Sequence, residues 1–429
     1  MSSELRKRLM QAGASVPYEW DVVPLEALLK DAKSISVGVM YPGPHTPGGT
    51  PLIKVGDIKG GLITQKPEYC ISSETDELHQ RTRLHGDELL ITLVGNPGEC
   101  VVVEPYMAGW NPARAIAVIR LANPGLRIYL KAVLESAASK HLIDSVLNTT
   151  VQKTLNLKDI RQLPIPLPPE KVIQSLSDFS DVLSKRIALL RETNVTLEAI
   201  AQALFKSWFV DFEPVHARAC GEQPAGLAPE VAALFPDSFE ESDLGKIPKG
   251  WTIGRVEDLM ELAYGKALKA TARIDGPIPV YGSGGITGYH NESLVNGPSI
   301  IVGRKGTVGS LYWEDLPFFP IDTVFYVKTQ KPQTYCFYLL QRLGLKDMNT
   351  DAAVPGLNRN NVYRLQVLMP PEEVLAAFDN IASVLRHRIF SNNQQSQTLA
   401  NLRDTLLPRL ISGQLRLPDA EAMVSEAQA

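Results

Sequence analysis

The residues best placed to do chemistry are cations and rings on a glycine-flanked turn. Between Gly303 and Gly309, Arg304 and Lys305 sit on a turn beside Tyr312 and Trp313, so backbone amides, cations and aromatic faces converge. An arginine can engage two acceptors of a guanine edge at once, and a lysine neutralises phosphate. An exposed basic turn without a ligand is the plainer reading, and the residues leave both open. Arg273, Arg359 and Asn360 complete the candidate set for contacting DNA.

Other chemistries lack their residues. The glycines from Gly282 to Gly288 read as tight turns, because they match neither G-x-G-x-x-G before a helix nor G-x-x-x-x-G-K-[ST]. Pro236-Asp237 with Glu240 and Glu241 has no E-x-K element, so a connector is expected there rather than a nuclease centre. The stretch Asn111-Pro112-Ala113-Arg114 lacks the aromatic that amino-methyltransferases stack on a flipped base. The seven histidines show no H-x-x-x-H pairing, and Cys70, Cys100, Cys220 and Cys336 lie far apart. No catalytic set, no metal and no cofactor are expected in this chain.

The elements that must position these residues are set by an internal repeat. Pro168-Pro169-Glu170 recurs as Pro370-Pro371-Glu372, Val182-Leu183 as Val384-Leu385, Arg186-Ile187 as Arg388-Ile389, and Thr196-Leu197 as Thr398-Leu399. Asn156 and Leu163 match Asn358 and Leu365, every pair at an offset of 202 residues. Upstream, Val16-Pro17-x-x-Trp20 resembles Ile247-Pro248-x-x-Trp251 at an offset of 231, so the first copy has about 29 extra residues in its middle. Each copy therefore has a constant start, a variable middle and a constant end.

The middles read as short strands and turns. Glu88–Val94, Cys100–Val103, Ser299–Val302 and Thr323–Val327 are apolar runs, with helices expected over Leu126–Leu147 and near Tyr335–Leu343. After Pro168-Pro169 the period changes: Leu176, Leu183, Leu190, Leu197 and Leu204 recur every seven residues. Phe179 and Ile200 lie at the complementary offset, with Ile187 and Trp208 flanking the stripe. No Gly or Pro interrupts before Pro214, which predicts a helix of about 40 residues, roughly 60 Å long. The second copy places Phe378, Leu385, Asn392, Leu399 and Leu406 at the same positions. Asn392, where the first copy has Leu190, is either a local polar break or a register-setting residue in the helix pair. Trp208 is either core filling or a docking residue.

The expected fold is α+β: two globular domains alternating with two long helices that pack as an antiparallel coiled coil, a pseudo-two-fold internal repeat. The boundaries read as an N-terminal extension over 1–15, a first domain over 16–167 and a first long helix over 168–210. An acidic linker follows over 211–246, then a second domain over 247–369, a second long helix over 370–412 and a tail over 413–429.

The net charge of −4 is unevenly spread. Between Val210 and Lys246 eight acids face only Arg218 and Lys246, and from Gly413 onward three acids face Arg416. The remainder is mildly basic, which permits phosphate binding. No run approaches the roughly 18 apolar residues of a membrane span. Arg6, Lys7 and Arg8 are not followed by the apolar core of a signal peptide, so a cytoplasmic location is expected.

With those features in place, the sequence resembles the specificity subunits of type I restriction–modification enzymes. The resemblance is carried by the duplicated Trp starts, the duplicated Pro-Pro-Glu helices, and the stretches Leu204–Pro214, Asp243–Trp251 and Leu406–Leu415. Pro279–Tyr289 followed by Ile301–Gly306 looks like one type of target-recognition domain. The likeness runs from about Val16 to Leu417. It implies a double-stranded DNA target of two unlike half-sites split by a nonspecific spacer, each read by one domain, with the helices as a ruler. It also implies two methyltransferase subunits, which carry S-adenosylmethionine, and restriction subunits driven by ATP and Mg. Two other readings compete: a leucine-zipper regulator, which lacks a basic run at Glu170–Gln174, and an enzyme of tandem domains.

Overall fold

The computed structural model describes residues 2–63, 65–147, 153–349 and 356–426. The chain divides into two compact units, Met1–Glu192 with Asn392–Ala429, and Thr193–Ser391. The long helices run Glu170–Phe209 and Glu372–Ile411, 40 residues each. Both begin just after a Pro-Pro pair, where a missing N–H breaks no helical bond. Each helix contributes one part to each unit, so the division follows packing rather than the sequence boundaries of the helices.

In the first unit Leu176, Phe179, Leu183, Ile187 and Leu190 of the first helix share a core with Leu399, Leu406, Leu407 and Leu410 of the second. In the second unit Ala201, Phe205, Trp208 and Phe209 meet Val374, Leu375, Phe378 and Ala382. There Asn194 donates to the carbonyl of Ile389 at 3.4 Å, and Glu198 pairs with Arg386 at 2.9 Å. Advancing along one helix retreats along the other, so the packing is antiparallel. In the first helix the buried stripe leaves the seven-residue spacing after Leu190, with Leu197 and Leu204 half-buried and Ile200 49% exposed. Ala201, Phe205 and Trp208 face inward there instead. The second helix keeps the spacing at Phe378, Asn392, Leu399 and Leu406, with Leu385 half-buried. Asn392 is 1% exposed, opposite in the repeat to buried Leu190, and the helix continues through it without a break.

The variable middles share one topology. The first has a four-stranded antiparallel sheet in the order Ile35–Val37, Ile116–Ile119, Leu89–Thr92, Cys100–Val102. A second sheet orders Cys70–Ile71, Thr50–Ile53 and Asn111–Pro112, the last two parallel. The second unit repeats both: Glu261–Tyr264, Val324–Lys328, Ser299–Gly303, Leu311–Glu314, and then Gly285–His290, Ile278–Gly282, Phe319–Pro320, again with the last pair parallel. Leu90 and Val118 face one core while Leu89, Ile91 and Ile119 face another. Burial on both faces is why these strands read as continuous apolar runs rather than alternating ones. In each unit a two-stranded antiparallel pair closes the domain, Asp21–Pro24 with Pro164–Leu167 and Thr252–Arg255 with Gln366–Met369.

Several expectations need correction. Leu126–Leu147 is not one helix but two, Arg127–Leu134 and Ala137–Val146. Ser136 adopts an extended backbone between them, and its side chain accepts from the N–H of Ser139, capping the second. The segment 1–15 is no loose extension: a helix over Ser2–Gln11 buries Leu5 and Leu9, and Arg6 donates to the carbonyls of Pro17 and Tyr18 at 3.1 and 3.0 Å. The acidic stretch 211–246 forms helices at Glu213–Ala219 and Pro229–Ala232 and a hairpin of Phe239–Ser242 with Gly245–Pro248. The tail carries a helix over Leu417–Glu426 that buries Ala420. These segments hold apolar anchors among their charges, which the charge count hides. No helix among the described residues is long and apolar enough to cross a membrane.

Trp208 lies in the core of the second unit, 1% exposed, edge-on to Phe235 at 5.0 Å and 6.0 Å from Phe378. Trp208→Ala is therefore expected to cost about 3–5 kcal/mol. Urea unfolding should show that loss equally with and without a bound partner; loss of partner binding at unchanged stability would contradict it.

Candidate nucleic-acid interface

The turn singled out in the sequence joins the strands Ser299–Gly303 and Leu311–Glu314. Gly306 and Gly309 hold positive φ of 84° and 67°, conformations that favour glycine, so the turn is narrow. The first unit has the same device, Gly95 and Gly98 at 88° and 93°, between Leu89–Thr92 and Cys100–Val102. That second G-x-x-G is legible in the sequence at an offset of 211, yet the differing residues around it mask the match.

Arg304 leaves the sheet edge with its backbone fixed on both sides. Its N–H donates to the carbonyl of Thr323 at 2.9 Å, and its carbonyl accepts from Leu357 at 2.8 Å. One guanidinium nitrogen, Nη1, donates to the carbonyl of Asp322 at 3.0 Å. The guanidinium carbon lies 4.8 Å from the ring centre of Tyr264 and 5.7 Å from that of Phe325. Arg359, which opens the short helix Arg359–Tyr363, lies 4.8 Å from the same Tyr264 ring and 5.5 Å from Tyr363. Tyr264 itself is 48% exposed and edges onto Phe325 at 5.0 Å. Two guanidinium groups thus share one half-open aromatic ring, each contact worth about 0.5–2 kcal/mol.

Sequence reasoning placed the wrong rings beside Arg304. Tyr312 and Trp313 are neighbours on one strand, so their side chains point to opposite faces of the sheet. Tyr312 donates to the carbonyl of Ser283 at the tip of the hairpin Ile278–Gly282/Gly285–His290. Trp313 turns the other way, under the guanidinium of Arg386 at 4.7 Å. Tyr264 was missed because a tyrosine ending an apolar strand carries no pattern of its own. Its one cue is the following Gly265-Lys266. The remaining candidates are dispersed. Lys305 is exposed, its backbone bridged to Gly356. Arg273 donates to the carbonyl and hydroxyl oxygens of Thr287 at 2.7 and 3.2 Å and braces the hairpin. Asn360 is exposed, and its N–H donates to the Asn358 side chain at 2.9 Å, which caps the helix that Arg359 begins.

The hairpin tip is locked to the turn through one residue. The carbonyl of Ser283 accepts from Ser310 Oγ at 2.6 Å as well as from Tyr312. Below it, Tyr281 donates to Glu314 at 2.7 Å. Burial first, then this carboxylate acceptor, pushes the Tyr281 phenol well above its ordinary value, so it stays a donor across the physiological range. The interface is therefore braced from beneath.

One cluster elsewhere could hold a metal by geometry alone: His85, Asp87 and Glu88. The buried Glu88 carboxylate already accepts from the N–H groups of His85, Gly86 and Asp87 and from Arg120 at 3.0 Å. Its acceptor capacity is spent on holding the turn.

Comparison with known proteins gives a consistent kinship. Residues 248–383 match the family described as type I restriction modification DNA specificity domain. The chain is 26% identical to the type I restriction enzyme HindI specificity subunit of Haemophilus influenzae, over 83% of this chain and 93% of that protein. It is 25% identical to the MjaIX specificity subunit of Methanocaldococcus jannaschii, over 62% of this chain and 63% of that one. Among solved structures, the S subunit of a type I restriction–modification system from M. genitalium aligns with a TM-score of 0.57 at 16% identity, covering 91% of this chain and 96% of that one. That likeness is one of fold.

Arg386, also missed in the sequence, joins three elements of the second unit: it pairs with Glu198 of the first long helix and stacks on Trp313 and Phe337. Its side chain is 11% exposed, so removing it takes the only cation from a half-buried Glu198 carboxylate that keeps just the neutral donors Tyr338 and Gln202 among the described residues. Arg386→Ala is expected to lose about 2–3 kcal/mol, while the exposed Lys305→Ala stays within about 0.5 kcal/mol. Denaturant unfolding followed by tryptophan fluorescence checks both; equal stability of the two variants would refute the clamp.

Proposed function

We propose that the chain, similar over most of its length to type I restriction–modification specificity subunits, is one of them and reads a bipartite, asymmetric DNA target, one half-site per unit. The observation that carries this is duplication with divergence. Two domains of identical strand order sit on the same repeated helix, yet present unlike residues at equivalent edges. A shared scaffold with unlike readers suits a target of two unlike parts, and the helices set the spacer between them.

In this reading the chain aims chemistry carried by other subunits. Two methyltransferase subunits bring S-adenosylmethionine to an adenine in each half-site. Restriction subunits bring ATP and Mg for translocation and cleavage, all in the cytoplasm. The cations of the second unit then meet phosphate and base edges: Lys305, exposed on its turn, suits phosphate, and Arg304, pinned and stacked, suits a base.

Long-read mapping of methylated adenines, in cells with and without this gene, tests the proposal directly. The expected result is a two-part motif of fixed spacing that vanishes with the gene. The purified chain alone should transfer no methyl groups. A motif unaffected by deletion, or methyl transfer by the chain alone, would sink the reading.

A further inference from the structure

The two units repeat one pattern of backbone bonding. Val37 and Tyr264 each end a strand and precede a glycine, Gly38 or Gly265, where a Cβ would collide with backbone oxygens at 2.0 and 2.1 Å. Leu93 and Arg304 each accept, at 2.9 and 2.8 Å, from the N–H of the residue that the 202 offset makes equivalent, Leu155 and Leu357. Leu157 and Arg359 open equivalent five-residue helices, again 202 apart. So Tyr264, Arg304 and Arg359 stand where the first unit has Val37, Leu93 and Leu157.

In the first unit those three residues belong to one hydrophobic core, Leu93 being 5% exposed. The same three places therefore fold well when all are apolar. The second unit puts two guanidinium cations and a half-open ring there instead. Neither guanidinium has a carboxylate partner among the described residues. Arg359 donates through Nη1 to the carbonyl of Leu262 at 3.4 Å, and its Nε is buried without an acceptor, as are those of Arg273 and Arg386. The stacking on Tyr264 offsets part of the repulsion between two like charges, but among the described residues no carboxylate neutralises them and donors are left over. They are explained by a ligand that brings acceptors.

We propose that Arg304 and Arg359, stacked on Tyr264, are the specificity-determining residues of the second unit, and that Arg304 reads one guanine. With Nη1 of Arg304 tied to the carbonyl of Asp322, its orientation is fixed and one edge of the guanidinium remains, two N–H donors in a plane. That fork matches the O6 and N7 acceptors of guanine in the major groove. A phosphate would accept the same fork, but phosphate needs neither a fixed plane nor a ring beneath it, and exposed Lys305 already serves that need. The first unit has no such fork at the equivalent place, so the guanine requirement falls in one half-site only. This inference rests on the DNA-reading function proposed above.

The test uses cells carrying the whole system, with the chain unchanged or altered, and long-read mapping of methylated adenines as the readout. With the unaltered chain, sites that differ from the motif at the relevant G·C pair should be methylated roughly 10- to 100-fold less than full matches. Arg304→Leu should abolish that difference at one G·C pair in one half-site and leave every other position as selective as before. Lys305→Ala should lower methylation at all sites alike. If Arg304→Leu also lowers all sites by one factor, or changes none, the guanine assignment is wrong while DNA reading stands. If the unaltered chain yields no two-part motif, the functional reading itself falls. Folding is checked separately with the triple variant Tyr264→Val, Arg304→Leu, Arg359→Leu, which recreates the first unit's apolar set. Its melting temperature should equal or exceed that of the unaltered protein, and a marked drop would make the cluster structural and overturn the proposal.

Discussion

A forty-residue amphipathic helix cannot leave its apolar stripe in water, and everything else in this chain answers to that constraint. Each of the two long helices finds its partner in the other, antiparallel within each unit. The globular domains are then attached at one kind of place. Pro164–Leu167 runs through Pro168-Pro169 straight into the first helix, and Gln366–Met369 runs through Pro370-Pro371 into the second. Each of these strands is paired with the strand that opens its own domain. A domain thus enters and leaves through a single two-stranded neck at a helix start. The segments between neck strands still pack on the helices, Trp313 and Phe337 on Arg386 and Tyr335 and Tyr338 on Phe205.

That arrangement explains which parts of the structure were legible in sequence. The helices announced themselves because a long apolar period has no other solution, and the offset of 202 residues fixed their correspondence. The buried stripe was misjudged at Leu197, Ile200 and Leu204, since Phe205 and Trp208 turn inward there to meet Tyr335, Tyr338 and Phe235, rings that seven-residue counting cannot see. Strands such as Leu89–Thr92 were visible as apolar runs, but their partners were not, because pairing depends on turns whose residues differ between the units. The shared sheet order of the two middles was beyond reach for the same reason. It is preserved by backbone contacts, such as the close approach at Gly38 and Gly265, rather than by matching side chains.

The candidate interface shows the same division. Arg304, Lys305, Arg359 and Asn360 were visible as polar residues on turns and helix starts. Their companion ring was not, because Tyr264 comes from a strand about 40 residues upstream and only the register of Glu261–Tyr264 against Val324–Lys328 brings it to the same edge. Arg386 was hidden inside a long helix, where an arginine at Ser184's equivalent position reads as an ordinary solvated charge. Its burial depends on Trp313 and Phe337 arriving from the globular domain. Contacts between distant segments are what a periodicity argument cannot supply.

The contrast between the units separates what folding requires from what function requires. Where backbone crowds backbone, both units keep glycine; where a turn needs positive φ, both keep the G-x-x-G spacing. Where strand edge, turn and short helix converge, they part: Val37, Leu93 and Leu157 in one, Tyr264, Arg304 and Arg359 in the other. Since the apolar set satisfies the same backbone in the first unit, that backbone does not by itself call for the polar set. Two cations on one ring leave N–H donors that an apolar filling would not have. A binding partner that supplies acceptors satisfies those donors only when it is bound, and a wrong base, lacking the matching acceptors, leaves the guanidinium edge unpaired. On the proposed reading, selectivity at this edge comes from the same unsatisfied donors that make it a poor piece of core.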